Sequence, residues 1–505
     1  MKNYVFCLLL VVISTSILAQ ENKPEADKEK TPDPEAFISE TTQSVTINGK
    51  TFNLATRAGT MELRDDNNKP IALFGFTSYT LKDGDATRPI LFAYNGGPGS
   101  SSIWLHMGAL GPERIVVNDG GYTPPAPYQL VNNEYSILDV ADLVMIDPVG
   151  TGLSVPLGDK EFKDFWGVDQ DIRSIGQFIT QYLIENGRMN SPKFLLGESY
   201  GTFRNAGVMK YLQDNGIALN GVIMVSTVLD LRTLMFPPNE DLPYVLHLPT
   251  FAATAWYHNK VEHESGDLEE FLKEVRAFAE NEYSQALFRG DRLSKEETGQ
   301  LAVKLEKYTG IDKKIWENAN LRLQRSEFLQ ELLRDEGYTL DRLDSRIKGY
   351  SYDMLSQFPD YEPLFPAVGP SYTAGFYEYF YNTLKVDRKL AYTIFASRRK
   401  GFKWDWSHRG NSAWGAQIAI STAPDMAETL TQNPNTKVLI LNGYFDNGTV
   451  FYGVEHTIDH LELNPEVKKN IVMKYYEAGH MMYLHTPSLE KFKKDISEFI
   501  VSLST

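Results

Sequence analysis

A serine flanked by two glycines directly follows a run of apolar residues at positions 193–201. The segment reads Lys-Phe-Leu-Leu-Gly-Glu-Ser-Tyr-Gly, and Ser199 is its serine. A serine hydroxyl is a weak nucleophile until a neighbouring base takes its proton, and a sharp turn between a strand and a helix exposes the oxygen to such a base. The apolar run predicts the strand, and the residues that follow predict a helix. We therefore expect Ser199 to be a nucleophile.

The two partners that a serine nucleophile needs follow later in the chain, each just beyond another apolar run. Asp446 follows the run at 438–441, and His480 follows the run at 471–475. We expect His480 to act as general base and then general acid, and Asp446 to orient the imidazole and stabilise its charged form. A single Asp or His is better explained by a turn or by core packing. The placement of both after successive strands, in the order acid then histidine, favours catalysis.

A glycine-rich segment, Asn-Gly-Gly-Pro-Gly at 95–99, follows an earlier apolar run. Glycines let backbone N–H groups come close to a negatively charged oxygen, so we expect an oxyanion hole formed by the amides of Gly97 and Tyr200. The alternative is a phosphate-binding loop. The segment lacks the lysine of a P-loop and the spacing of a dinucleotide-binding fingerprint, which makes that alternative the weaker one.

The elements that position these side chains are predicted from short, continuous apolar runs, which are typical of parallel strands buried on both faces. The runs lie at 89–94, 141–146, 193–196, 221–225, 438–441 and 471–475. Helical patterns such as 169–186 separate several of them, and Asn48-Gly49 predicts an N-terminal hairpin. The predicted fold class is α/β, with a mostly parallel central sheet and antiparallel strands at its N-terminal side.

The strand pattern stops between residues 233 and 411, where amphipathic helical patterns such as 268–275 and 327–333 replace it. We expect a first part of the core at 38–232, a helical cap inserted at 233–411, and a second part of the core at 412–505. An insertion at the carboxyl ends of the strands lies over the ligand crevice. The alternative is a separate domain beside the sheet.

The N-terminus predicts export. Lys2 precedes a nearly continuous apolar run at 4–13, and small residues follow as far as Ala19. This is typical of a secretory signal peptide over residues 1–20, because a membrane-spanning helix needs ~20 apolar residues. Residues 21–37, rich in Glu, Lys and Pro, predict a disordered linker. The expected location is periplasmic or extracellular, and an integral membrane protein is not expected.

The composition bounds the partners and cofactors. The chain has 505 residues and a formal net charge of −16, which argues against a nucleic-acid partner. Its only cysteine, Cys7, lies in the predicted signal peptide, so neither a thiol nucleophile nor a cysteine-ligated metal is expected. His456 and His460 are four residues apart, as zinc ligands can be, but no glutamate follows His456, and an exposed helix explains them better. No metal and no cofactor are predicted.

Four segments in order resemble the signature segments of the serine carboxypeptidase family: 95–102, 147–154, 197–201 and 478–481. The resemblance implies an α/β-hydrolase fold with a cap, a Ser-Asp-His triad, and the removal of C-terminal residues from peptides. It also implies that Asn95, Gly96 and Glu198 bind the substrate, with Asn95 and Glu198 at its terminal carboxylate. A carboxyl beside a carboxylate must be protonated to donate a hydrogen bond, so this site would work best in acid. A purely structural hydrogen bond of Glu198 is the alternative.

The chain also departs from the family pattern. Ser100 stands where the family usually has cysteine, Ala93 where it has tryptophan, and Ala109 where a second glutamate of the carboxylate site is expected. Because Ala109 replaces this glutamate, other serine hydrolases remain alternatives to a carboxypeptidase: an esterase, an acyltransferase, or a peptidase with a different end preference. A non-catalytic peptide-binding homologue is a further alternative. Arg204 could replace the missing group. We favour the interpretation that Arg204 is a helix residue paired with a structural acid.

Overall fold

Fourteen strands are found in the computed structural model, which describes residues 33–65, 67–262, 266–409 and 419–504. The strands are β1 Ile38–Ile47, β2 Lys50–Arg64, β3 Pro70–Leu81, β4 Ile90–Tyr94, β5 Glu113–Ile115, β6 Leu130–Asn132, β7 Asp142–Asp147, β8 Val155–Pro156, β9 Lys193–Glu198, β10 Gly221–Val225, β11 Tyr338–Leu340, β12 Lys348–Tyr350, β13 Lys437–Gly443 and β14 Ile471–Tyr476. Ten of them form the central sheet in the order β1-β2-β3-β7-β4-β9-β10-β13-β14, with β8 paired to β3.

The helices of the described residues are α1 Ile103–Leu105, α2 Val168–Glu185, α3 Tyr200–Asp214, α4 Leu242–Tyr257, α5 Leu268–Phe278, α6 Ser284–Arg289, α7 Lys295–Thr309, α8 Lys313–Asn318, α9 Arg325–Glu331, α10 Leu364–Glu378, α11 Ala423–Gln432, α12 Phe451–Asp459, α13 Pro465–Lys468 and α14 Thr486–Ser502. Two short turns matter below: a π-helical turn at His106–Leu110 and a 3₁₀ turn at Met482–Leu484. Within the described parts of the chain, no helix is long and apolar enough to cross a membrane.

The N-terminal strands form an antiparallel region, as predicted. Asn48 and Gly49 both have positive φ, 49° and 75°, which is the backbone conformation of a two-residue hairpin turn between β1 and β2. Strand β3 pairs antiparallel with β2 and with β7. Among the described residues, regular secondary structure begins with β1 at Ile38, and the Phe37 carbonyl accepts a hydrogen bond from the Thr60 amide.

The strands β7, β4, β9, β10, β13 and β14 are parallel to one another, which confirms the prediction from the apolar runs. Successive residues along them point to opposite faces. Both faces are buried in β7, β4, β9, β10 and β13, whereas the edge strand β14 exposes Val472 and Lys474. In β4, for example, Leu91 joins one hydrophobic cluster and Phe92 the other. Helices α2, α3 and α11 contribute to the cluster of Phe92, and α14 contributes to the cluster of Leu91. The register aligns the carboxyl ends of β4, β9, β13 and β14 at one edge.

Helices dominate the chain between β10 and β13, which contains α4 to α11. Most of these helices pack around a third hydrophobic cluster that includes Phe251, Leu272 and Phe328. Helix α10 is different, because Val368 and Tyr372 belong to the cluster of the sheet. The region also contains an antiparallel hairpin of the short strands β11 and β12, which the amphipathic helical patterns did not indicate.

Several predictions fall outside the described residues. They are the signal peptide at 1–20, most of the linker at 21–37, Cys7, and the boundary between the cap and the second part of the core at 411–412. Residues 33–37, which end the predicted linker, have no regular secondary structure.

Candidate active site

Ser199 lies on the sharp turn between β9 and α3. Its backbone angles, φ 61° and ψ −130°, are unfavourable for a residue with a side chain, and such strain is found at functional sites. The turn is held by a hydrogen bond of 2.9 Å from the Ser199 amide to the Val225 carbonyl on β10. A side chain on Gly197 would place its Cβ 2.2 Å from the Gly201 carbonyl oxygen. Gly197 is therefore required for the turn to close, and a Cβ on Gly201 would make a tight contact of 3.1 Å with the Tyr94 carbonyl oxygen.

His480 and Asp446 are bonded to each other at the same edge of the sheet. Nδ1 of His480 lies 2.6 Å from Oδ2 of Asp446, and both residues are buried. The carboxylate also accepts hydrogen bonds from the amides of Gly448 and Thr449 at 2.7 and 3.0 Å, and from the Thr449 hydroxyl at 2.6 Å. A carboxylate held in this way keeps the ring orientation of the histidine fixed.

The charges around His480 favour its protonated form. Burial by itself lowers the pKa of the imidazole, but the charge and the hydrogen bond of Asp446, together with the charge of Glu198, outweigh burial and raise it. Arg342 opposes this effect. A base with a raised pKa accepts a proton from a serine hydroxyl more readily.

Ser199 and His480 line one cavity of about 300 Å³. One wall comes from the core and includes Asn95, Gly96, Gly97 and Glu198, in addition to Ser199 and His480. The opposite wall comes from the helical region between β10 and β13: Arg342, Leu343, Glu362, Leu364, Phe365, Val368 and Phe395. The cavity therefore brings the predicted substrate-binding residues to the predicted nucleophile and base.

Tyr200 directly follows the nucleophile in the chain, and Gly97 lines the same cavity as Ser199. Tyr200 is the first residue of α3, so its N–H has no acceptor within the helix. A Cβ on Gly96 would lie 2.5 Å from the Tyr200 nitrogen, which shows how closely the glycine segment approaches the start of this helix. Among the described residues, no backbone carbonyl accepts a hydrogen bond from Gly97 or Tyr200. Both donors are thus available for an oxyanion.

The Tyr200 side chain is fixed by two tryptophans. Trp404 and Trp406 contact its ring edge-on, with centroid distances of 5.4 and 5.9 Å. Phe402 of the same segment lies next to Gly99, where a Cβ would come within 3.1 Å of its ring. The aromatic segment at 402–406 therefore serves as packing for Tyr200.

Asn95 and Glu198 are bonded to each other. Nδ2 of Asn95 donates to Oε1 of Glu198 at 3.0 Å, and the Tyr483 hydroxyl donates to Oε2 at 2.8 Å. Burial raises the pKa of Glu198 to about 7, although the charge of His480 and these two hydrogen bonds lower it. Glu198 can therefore carry a proton in mildly acidic solution and donate it in a hydrogen bond.

Arg204 does not reach the cavity. It is completely buried in α3, where its Nε donates to Asp171 at 2.7 Å and its NH1 donates to the Asn95 carbonyl at 2.9 Å. Its guanidinium also lies over the rings of Tyr94 and Tyr200. This is the structural pairing that was favoured from the sequence, and it supports Asn95 from behind.

Residues 341–347 of the helical region contact both loops that carry His480 and Asp446. The Leu343 carbonyl accepts a hydrogen bond of 2.6 Å from the His480 amide, and the Ser345 amide donates to the Phe445 carbonyl at 3.0 Å. The Asp341 carboxylate holds this segment, because it accepts from the amides of Leu343 and Leu364. The segment thus links the opposite wall of the cavity to the acid and the base.

Three groups at the site have no signal of their own in the sequence: Thr449, Tyr483 and residues 341–347.

The pair His456 and His460 stays apart from the site. The centroids of the two stacked rings are 4.0 Å apart. Most of α12 is buried, so the expectation that the two histidines belong to an exposed helix was wrong. Within the described ranges, no three His, Asp or Glu side chains are placed to hold a metal ion.

The family model described as serine carboxypeptidase matches residues 48–490. The pheromone-processing carboxypeptidase KEX1 of Saccharomyces cerevisiae is 33% identical over 157 residues, which are 28% of this chain and only 20% of that protein. The crystal structure of KEX1(delta)p, a prohormone-processing carboxypeptidase from the same organism, is similar in fold at 17% identity, with a TM-score of 0.53 over 89% of this chain and 91% of that chain. Because the family model spans most of the sequence, the chain belongs to the serine carboxypeptidase family and has its α/β-hydrolase fold.

Proposed function

We propose that this chain is an exported serine carboxypeptidase that removes C-terminal residues from peptides through an acyl-enzyme. One observation carries the proposal: Ser199, His480, Asn95 and Glu198 all line a single cavity. A nucleophile with its base supports acyl transfer, and a protonatable carboxyl beside them supports recognition of a free peptide C-terminus.

In the first half of the reaction, His480 takes the proton of the Ser199 hydroxyl as the oxygen attacks the carbonyl carbon of the last peptide bond. The amides of Gly97 and Tyr200 stabilise the negative charge that develops on the carbonyl oxygen. The imidazolium then gives its proton to the leaving nitrogen, and the C–N bond breaks. The C-terminal amino acid leaves, and the rest of the peptide stays as an ester on Ser199.

In the second half, a water molecule attacks the ester. His480 accepts one of its protons and returns a proton to the Ser199 oxygen as the ester bond breaks. The shortened peptide leaves with a new carboxyl group, and the enzyme is regenerated. Asp446 stabilises the imidazolium of His480 in both halves.

Glu198 and Asn95 provide the end preference. The carboxylate of the substrate is an anion, and an ionised Glu198 repels it. With its proton, Glu198 donates a hydrogen bond to the substrate carboxylate, and Gly96 leaves room beside it. Residues 233–411 form the cap, whose Phe365 and Phe395 give the cavity an apolar wall. Export follows from the apolar run at 4–13.

The decisive experiment is mass spectrometry of the products from matched peptides that differ only in a free or an amidated C-terminus. The proposal expects stepwise loss of C-terminal residues from the free peptides and far slower cleavage of the amides. Ser199→Ala is the matched control, and it should abolish both the products and labelling by a fluorophosphonate probe. Trimming from the N-terminus would contradict the end preference but not the nucleophile.

A second candidate is a serine hydrolase that acts on esters or on other acyl groups. The observation that favours it is the small side chain of Ala109, which is buried and offers no carboxyl to the site. Rapid cleavage of simple esters without any peptide trimming would support this candidate.

A further inference from the structure

The Glu198 carboxyl has a partner on each of its oxygens. The Asn95 side chain donates to Oε1, and the Tyr483 hydroxyl donates to Oε2. Tyr483 is buried in the 3₁₀ turn that follows His480. Both contacts favour the ionised form of Glu198, because an ionised carboxylate accepts hydrogen bonds on both oxygens.

Two tyrosines pack against the π-helical turn that contains Ala109. A Cβ on Gly108 would lie 2.5 Å from the Tyr372 hydroxyl and 2.5 Å from the ring of Tyr483. Ala109 carries no carboxyl, and the Tyr483 hydroxyl bonds to Glu198. Ala109 of the π-helical turn at His106–Leu110 belongs to the same hydrophobic cluster as Tyr372 and Tyr483.

We propose that Tyr483 is a positioning residue that, through its hydrogen bond to Glu198, sets the pH above which the site stops accepting the carboxylate of a peptide. This inference rests on the proposed function. A substrate carboxylate binds when Glu198 holds a proton, and the Tyr483 hydroxyl stabilises the form without that proton. Tyr483 therefore lowers the upper limit of the pH range in which C-terminal trimming takes place.

The other groups that face Glu198 each raise or lower its pKa. Burial raises its pKa, the His480 charge and the hydrogen bonds of Tyr483 and Asn95 lower it, and the Asp446 charge raises it. Burial and, to a smaller extent, the charge of Glu198 raise the pKa of the Tyr372 hydroxyl on α10. Removal of the Tyr483 hydroxyl takes away one of the effects that lower the pKa of Glu198. The remaining groups are unchanged.

The test is the pH dependence of kcat/KM for a peptide with a free C-terminus. In Tyr483→Phe, the alkaline limb should move upward by about one pH unit, since a hydrogen bond to a charged group is worth about that much. A variant with one hydroxyl less would thus work at a higher pH than the wild type. An unchanged alkaline limb in a folded Tyr483→Phe protein would overturn the proposal.

Three further variants sharpen the test. Glu198→Gln removes the titrating group, so the alkaline limb should disappear. Tyr283→Phe removes a buried hydroxyl that donates at 2.6 Å to the Leu321 carbonyl, away from the cavity, and should leave the limb in place. Tyr372→Phe distinguishes the two tyrosines: a shift in this variant alone would assign the role to Tyr372 and overturn the assignment to Tyr483. Failure of the proposed function is distinct, because the wild type would then not trim at all.

Discussion

The Thr449 hydroxyl donates a hydrogen bond of 2.6 Å to Oδ2 of Asp446, the same oxygen that lies 2.6 Å from the His480 ring. Thr449 also donates its amide to the other oxygen of this carboxylate. Thr449 therefore donates hydrogen bonds to both oxygens of the Asp446 carboxylate, which orients His480. The hydroxyl lies 3.4 Å from Nδ1 of His480, at the edge of hydrogen-bond distance, so its main partner is Asp446.

Thr449→Val keeps the size of the side chain and the amide contact but removes the hydroxyl. We expect kcat/KM for an ester substrate to fall by about tenfold, because Asp446 loses a hydrogen bond worth about 1.5 kcal/mol. Thr449→Ser should restore most of the activity. If the serine variant is as slow as the valine variant, the methyl group rather than the hydroxyl matters, and this role of Thr449 is wrong.

Gly96→Ala should damage the oxyanion hole, since its Cβ would lie 2.5 Å from the Tyr200 nitrogen and 2.6 Å from the Glu198 carbonyl oxygen. Both atoms belong to the backbone of the nucleophile turn and cannot rotate away. We expect kcat to fall by about 10²-fold, the effect of losing one oxyanion donor. Gly299→Ala is the matched control, because the nearest atom outside its own helical turns would be 3.7 Å away, on the flexible Glu317 side chain. Equal losses in both variants would indicate a general effect of alanine rather than a local clash.

Much of this site could be predicted from the sequence, because the strands before Ser199 and Asp446 are buried on both faces and the edge strand before His480 still has a largely apolar sequence. Continuous apolar runs mark such strands clearly, and the residues just after them meet at one edge of a parallel sheet. This is how Ser199, Asp446 and His480 could be placed together without a structure. The hairpin turn at Asn48-Gly49 was equally clear, since few residue pairs adopt positive φ at both positions.

The parts that could not be predicted depend on contacts between distant segments. Tyr483 follows two methionines, and nothing in that spacing indicates a hydrogen bond to Glu198. The contact of Leu343 with the His480 amide joins residues 137 positions apart in the chain, and the short strands β11 and β12 have only three residues each, too few for an alternating pattern. Packing between elements decides these features.

Arg204 provides a test of stability. Replacement by Met removes the ion pair and leaves the buried Asp171 charge without its partner, which costs about 3–5 kcal/mol of unfolding free energy. Arg289→Ala breaks an exposed ion pair with Glu297 and should have a far smaller effect. Chemical denaturation of both variants measures the difference. If Arg204 acted on the substrate instead, Arg204→Met would raise KM and leave the unfolding midpoint close to that of the wild type.

The pH profile should depend on the end group of the substrate. An ester without a carboxylate requires only a neutral His480, so its hydrolysis should decline as the pH falls through the raised pKa of this residue and should stay high in alkaline solution. A peptide with a free C-terminus additionally requires a protonated Glu198, whose pKa of about 7 makes binding weaken as the pH rises through neutrality. Because His480 must be neutral while Glu198 is protonated, we expect a bell-shaped profile for trimming that falls in alkaline solution and also in acid, whereas ester hydrolysis falls only in acid. Profiles of kcat/KM for the two substrates measure this, and trimming that rises steadily into alkaline solution would exclude a protonated Glu198 as the carboxylate-binding group.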